Sequence, residues 1–213
     1  SNFYLDIAKD RLYVSAPNDK RRRSCQTVMA LIIERLAAAI APVLCHMAED
    51  IWQNIPYPTG TESVFLSGWP SVPEEWRDDS LQAPMRELRE LRAAVNKVLE
   101  ECRSKRKLGA SLEAAVRIEA RTPALKDALH WLQSKGDQEV DGLRDWLLVS
   151  QLQIGGEPWA ELMASDDNEL AVIEVALSRG EKCERCWHYE SDIGQHSDHP
   201  SLCGRCVSVL ERR

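Results

Sequence analysis

Four cysteines near the end of the sequence carry its clearest chemistry. In CERCWHYESDIGQHSDHPSLCGRC, Cys183 and Cys186 stand two residues apart, sixteen residues follow, and Cys203 and Cys206 repeat the pair. Cys-x-x-Cys on a tight turn directs two thiolates to one side of a metal. Two such knuckles complete a tetrahedron around zinc with arms of roughly 2.3 Å. Two disulfides or a redox dithiol pair are the competing chemistry, and the paired knuckles favour the metal. His188, His196 and His199 lie between the knuckles, where one of them could replace a cysteine. The four thiolates already fill the shell, so the histidines read as surface residues. A filled shell leaves no position for water or substrate, which makes this one Zn2+ structural. So short a segment has almost no core, and metal binding would supply most of its folding free energy, on the order of 10 kcal/mol.

Trp187 follows a predicted ligand directly, in a knuckle that also carries Lys182 and Arg185, and Arg205 sits in the second knuckle. An indole held by the metal can stack on an unpaired base, and a guanidinium can bind a phosphate or a base edge. Alternatively Trp187 packs beneath the knuckle. Two basic runs stand elsewhere: Lys20, Arg21, Arg22 and Arg23, then Arg103, Lys105, Arg106 and Lys107. Both could meet a phosphate backbone; otherwise the first is a solvated turn and the second complements a helix C-terminus.

Composition narrows the partners. A net charge of −7 over 213 residues argues against gripping nucleic acid by bulk electrostatics, so any such contact must be local. With 44% hydrophobic and 29% charged residues the chain should fold. The longest apolar stretch, 37–45, is interrupted by Pro42 and too short to cross a bilayer, and SNFYLDIAKDRLY lacks the basic head and apolar run of a secretory signal. The expected location is the cytoplasm. Gly-rich phosphate loops, Gly-x-Ser-x-Gly and His-Glu-x-x-His are missing from the sequence, so the chain is expected to perform no reaction by itself.

The elements that would position the cysteines follow from periodicity. Phe3, Ile7 and Leu12 fall near helical spacing, and from Arg21 to Trp52 one apolar face recurs through Val28, Ile32, Leu36 and Ile40. Pro42 predicts a kink or break within it. Proline-punctuated chain follows. Leu81 to Lys107 is an amphipathic helix whose stop is predicted at Gly109. AAVRIEA alternates as a strand, TPALKDALHWLQSKG reads as a helix entered at Thr122 and stopped at Gly136, DGLRDWLLVSQLQIGG carries a short helix into a strand, and ELAVIEVALS suits a further strand. The fold class is mainly α with a small α/β subdomain, closed by the four-cysteine zinc module.

FYLDIAKDRLY, the long helix RRRSCQTVMALIIERLAAAIAPVLCHMAEDIWQNIP and SVFLSGWP resemble the anticodon-binding helical bundle of class I synthetases for aliphatic amino acids. VNKVLEECRSKRKLGASLEAAV looks like the isoleucyl branch, and CERCW with CGRC matches the zinc tail of bacterial isoleucyl-tRNA synthetases. The resemblance covers essentially the whole chain. It implies residues 1–75 as the end of the anticodon bundle, 76–180 as an α/β junction and 181–213 as the zinc module of a C-terminal fragment. It further implies a cytoplasmic, monomeric parent that joins isoleucine to its tRNA using ATP. The ATP and isoleucine sites lie in a catalytic domain whose His-Ile-Gly-His and Lys-Met-Ser-Lys-Ser motifs are not in this sequence. What carries over is tRNA recognition, with Arg185 and Trp187 set against the anticodon. The bundle's first helices being absent, Phe3, Ile7 and Val28 are expected to be partly uncovered. Rival readings are the zinc finger of a DNA repair glycosylase and a zinc-stabilised protein-docking element.

Overall fold

The computed structural model describes residues 3–135 and 142–211 and is mainly α-helical with a small mixed sheet, as the sequence implies. Its contacts divide the chain into two compact units, Ser1–Arg22 with Asp79–Arg213, and Arg23–Asp78.

In the first unit, α1 (Tyr4–Tyr13) and α4 (Gln82–Ser104) contribute to one core with the sheet. Leu88, Leu91, Val95, Val98, Leu99 and Cys102 of α4 recur at three- and four-residue spacing and are at most 1% exposed, so they form one buried stripe. Burying each large aliphatic side chain contributes roughly 1.5–3 kcal/mol. Ile7, expected to be partly uncovered, is 4% exposed in this core, and Phe3 packs edge-on against Trp146 with ring centroids 5.3 Å apart. Local packing buries Ile7, while Phe3 stays half-buried, as expected.

The sheet has the order β2-β1-β4-β3, with β1 (Ala114–Ala120) parallel to β2 (Gln151–Ile154) and antiparallel to β4 (Ala171–Leu177), which pairs with β3 (Ala164–Asp167). A parallel pair needs a crossover, and α5 (Pro123–Ser134) and α6 (Leu143–Leu147) lie in it. Thr122 caps α5 by accepting from the Leu125 amide at 3.2 Å, as its position before Pro123 predicts. The stop predicted at Gly136 lies outside the described residues. β3, ASDD, escapes the sequence reading because it carries no apolar alternation; its pairing with β4 and the packing of Ala164 against the core place it.

Alternation in β1 holds on one face, where Val116 and Ile118 join the core, but the other face is also covered. Arg117 lies directly across from Glu174 and their side chains, 5% and 8% exposed, form an ion pair at 3.3 Å. Gly156 accepts from Arg117 Nη2 at 2.9 Å, and the Trp159 amide donates to Glu174 Oε2 at 3.1 Å.

α4 does not run to Gly109. The Lys107 amide donates to the Cys102 carbonyl and the Arg106 amide to the Arg103 carbonyl, both at 2.9 Å, with Arg106 left-handed at φ +55°. That is a Schellman stop with arginine where glycine is usual.

In the second unit, α2 (Lys20–Ile40, its first turn belonging to the first unit) and α3 (Cys45–Gln53) are separate helices, the break falling at Pro42 as its missing amide requires. The Val43 and Leu44 amides both donate to the Ile40 carbonyl and end α2. Ala37, Ala38, Ala41, Ala48, Trp52 and Val64 form the core of this unit. Along α2, Val28, Ile32 and Leu36 are 44%, 53% and 48% exposed, so part of the apolar face predicted for it stands uncovered.

Candidate metal centre

Two knuckles build the cysteine site. β5 (Glu181–Lys182) pairs with β6 (Tyr189–Glu190) and brings the ends of the first knuckle together. Within it the Cys183 amide donates to the His188 carbonyl, and the Trp187 amide to the Cys183 carbonyl, both at 2.9 Å. The second knuckle opens α7 (Gly204–Glu211), whose first amide, Gly204, donates to Asp192 Oδ2 at 2.7 Å. Cys206 therefore sits in the first turn of a helix, where the dipole favours a thiolate.

The four sulfurs lie within 4.8 Å of one another and all four residues are buried. Cys186 Sγ is 3.7 Å from Cys203 Sγ, far beyond a disulfide bond and close to the roughly 3.8 Å edge of a tetrahedron with 2.3 Å arms. The sulfurs also need a cation. Hydrogen bonds from Cys203 and Cys206 hold the Cys186 thiol well below its ordinary value. Sharing with Cys186 pushes Cys203 up to about 11, and Cys206 is raised as well. Four thiolates this close ionise together only around a divalent ion. The residues fit zinc. When bound, it closes the two knuckles into one folded unit, and its filled shell gives it no catalytic position.

Among the described residues the metal-capable cluster is the four cysteines alone. The histidines between the knuckles are not uniformly at the surface as expected. His188 is 4% exposed, because its carbonyl closes the first knuckle and its ring is carried inward. Burial, then the nearby Arg144 and Arg205 charges, hold it below the usual imidazole value. His196 and His199 are half-buried.

The structure brings Lys182, Arg185, Trp187 and Arg205 together in this module, in different roles. Trp187 is 60% exposed with φ +67°, and Lys182 Nζ lies 5.6 Å from its ring centroid. The indole therefore lies on the surface and not beneath the knuckle, in a backbone conformation that bulky side chains avoid. Arg185 points the other way, with Nη2 donating to the Val14 carbonyl at 2.7 Å and Nη1 lying 3.6 Å from Cys206 Sγ. Arg205 donates to both Asp10 carboxylate oxygens at 2.7 and 2.9 Å. Asp10, Val14 and Asp192 are thus parts of the site that the sequence reading missed. Asp10 and Val14 carry no local signal, since they meet it from the far end of the chain.

The basic runs sit on other elements. Arg21, Arg22 and Arg23 are in the opening turns of α2 and not in a turn before it, and Arg22 donates to the Ser15 carbonyl at 3.0 Å. Lys105 pairs with Glu101, Lys107 reaches the Met163 carbonyl at 3.0 Å, and Arg106 is exposed. No helix among the described residues is long and apolar enough to cross a membrane.

Comparison with known proteins joins these features. Residues 180–209 match a zinc finger found in FPG and IleRS, and residues 1–118 match the anticodon-binding domain of tRNA ligase. Over all 213 residues the chain is 94% identical to an isoleucine–tRNA ligase of Synechococcus sp. (strain CC9311). It is 73% identical to those of Prochlorococcus marinus (strain MIT 9313) and Parasynechococcus marenigrum (strain WH8102). In each case it spans all of this chain and 22% of the relative's length. The zinc-finger match alone would leave two classes of protein open, and the match over residues 1–118, more than half the chain, decides between them. The chain belongs to the anticodon-binding domain family of tRNA ligases and carries the structural zinc site of the isoleucyl branch.

Proposed function

We propose that this chain recognises the anticodon stem-loop of isoleucine tRNA as part of a longer, cytoplasmic and monomeric isoleucine–tRNA ligase. In this reading the zinc module, residues 181–213, presents the RNA-facing aromatic, and residues 76–180 connect it to the helical region, residues 1–75. ATP and isoleucine act elsewhere in the parent enzyme, which joins the amino acid to its tRNA. The chain's own contribution is binding and orientation.

The observation that carries the proposal is the exposed Trp187 indole, held at φ +67° next to a zinc ligand with the Lys182 ammonium beside its ring. A flat, rigid π-face stacks on an unpaired loop base, on the order of 1–3 kcal/mol per base. A neighbouring ammonium adds attraction for phosphate without requiring a basic protein. Arg185 and Arg205 hold the platform from behind. The exposed Arg106 and the start of α2, with Arg21 and Arg23, are the further positions proposed to meet the RNA backbone.

The test is binding of the zinc-loaded chain to isoleucine tRNA and to an unrelated tRNA, with and without Trp187→Ala. Preferential binding that falls about tenfold or more on substitution supports the proposal. Equal affinity for both RNAs, unaffected by the substitution, overturns it and leaves a zinc module that serves folding alone.

A further inference from the structure

The two knuckles share an arrangement that zinc ligation does not require. Each reads Cys-x-Arg-Cys, with Arg185 directly before Cys186 and Arg205 directly before Cys206. Both guanidiniums turn to the same piece of chain, the last turn of α1. Arg205 is bidentate on Asp10 at 2.7 and 2.9 Å. Arg185 donates to the Val14 carbonyl at 2.7 Å while its other Nη lies 3.6 Å from the Cys206 sulfur. Val14 is the C-cap of α1, is 8% exposed, and packs in the same apolar cluster as the four cysteines. Its amide donates to the Asp10 carbonyl at 2.9 Å, so the two anchored residues close one helical turn.

The charges explain the arrangement. Four thiolates around a divalent cation carry a net charge of −2, which buried N–H donors and nearby guanidiniums offset. Arg185 satisfies a sulfur and a backbone carbonyl at once. Such a carbonyl at a helix C-terminus has lost its helical partner and needs a donor. Without the metal the knuckle that aims the guanidinium is no longer fixed, so Arg185 loses the geometry that lets it span the sulfur and the carbonyl at once.

We propose that Arg185 and Arg205 are positioning residues of the zinc site that couple metal occupancy to docking of the α1 C-terminus, so that zinc fixes how the chain leaves α1 as well as folding its own module. The proposal rests on the zinc reading and is independent of RNA binding.

The experiment uses the full chain, with two measurements: zinc release to a chromogenic chelator, and amide exchange of residues 10–16. Zinc-loaded, zinc-stripped, Arg185→Ala, Arg185→Lys and Asp10→Asn proteins are compared, with the exposed Ser208→Ala as a control. Arg185→Ala should release zinc about tenfold faster, the lower end of what loss of an outer-sphere partner does to a metal site. Its residues 10–16 should exchange as fast as in the stripped protein. Arg185→Lys should fall between, since an ammonium keeps the charge but cannot span both acceptors. Asp10→Asn, a change outside the zinc module, should also speed zinc release, and it keeps the test decisive if Arg185→Ala does not fold. Wild-type zinc release in Asp10→Asn, or full protection of residues 10–16 in the stripped protein, would overturn the coupling. So would equal acceleration in Ser208→Ala.

Discussion

Arg205 donates both Nη groups to the carboxylate of Asp10, at 2.7 and 2.9 Å, across 195 residues of sequence. The side chains are 34% and 20% exposed, so the pair is neither a solvated surface contact nor a dry one. Bidentate geometry favours a contribution above that of an isolated surface pair. Asp10→Ala should therefore cost roughly 1–2 kcal/mol, between the exposed and buried limits, and Asp10→Asn less, because one oxygen still accepts. Thermal unfolding of Asp10→Ala, Arg205→Met and the double variant gives the coupling energy. A coupling near zero would reduce the contact to a surface pair.

Trp187 separates stability from binding. A non-glycine residue in the left-handed region costs roughly 1–2 kcal/mol, and glycine removes that cost. Because the ring is 60% exposed, deleting it sacrifices little packing. Trp187→Gly should thus unfold at the same temperature as the wild type or higher, by up to about 1 kcal/mol, while affinity for tRNA falls as in Trp187→Ala. Both substitutions delete the ring and they differ chiefly in backbone strain, so the difference between their melting curves reads the strain and the loss of binding they share reads the ring. A Trp187→Gly protein that unfolds earlier would assign the indole to packing.

What could be read from sequence was what repeats locally. The two Cys-x-x-Cys knuckles, the α4 stripe, the break at Pro42 and the Thr122-Pro123 start all rest on residues within a turn or two of one another, and the structure carries each of them. The end of α4 was misread because Gly109 is a glycine and Arg106 is not, yet a left-handed stop needs only one residue to tolerate φ +55°, and the flanking hydrogen bonds enforce it. Asp10 and Val14 were invisible as parts of the zinc site because their partners lie far along the chain. In the sequence reading His188 is placed at the surface only because the four thiolates leave it no room in the shell, yet its carbonyl is committed to Cys183 and it is 4% exposed.

The sheet offers a test of buried charge. Arg117 and Glu174 face each other on neighbouring strands at 3.3 Å, and both side chains are buried, 5% and 8% exposed. Removing one partner leaves an uncompensated buried charge, so Arg117→Met should cost about 3–5 kcal/mol. Replacing both, as Arg117→Met with Glu174→Leu, should recover most of that loss, since an apolar pair of similar volume needs no desolvation. Urea unfolding measures both steps. A double variant no more stable than Arg117→Met would shift the weight to the loop contacts, namely the Gly156 carbonyl on Arg117 and the Trp159 amide on Glu174.

Acid should loosen the unit of residues 23–78 through Glu49. Its carboxylate accepts from Gln53 Nε2 at 2.7 Å, Ser63 Oγ at 2.9 Å and the Val64 amide at 3.0 Å. These hydrogen bonds, Gln53 first and Ser63 next, hold it below the usual value of 4.5. A carboxyl whose folded value is depressed contributes stability in full above its unfolded value, and that contribution is lost as pH falls through the folded value. Glu49→Gln should therefore lower the melting temperature most near pH 7, and the gap to wild type should close as pH falls below 4.5 toward 3. Glutamine keeps one carbonyl acceptor at most, so the gap measures the charged form. A difference that stays constant from pH 7 to pH 3 would mean that shape and not charge ties Glu49 to the 63–64 turn, and the acid sensitivity of this unit would then have to come from other carboxylates.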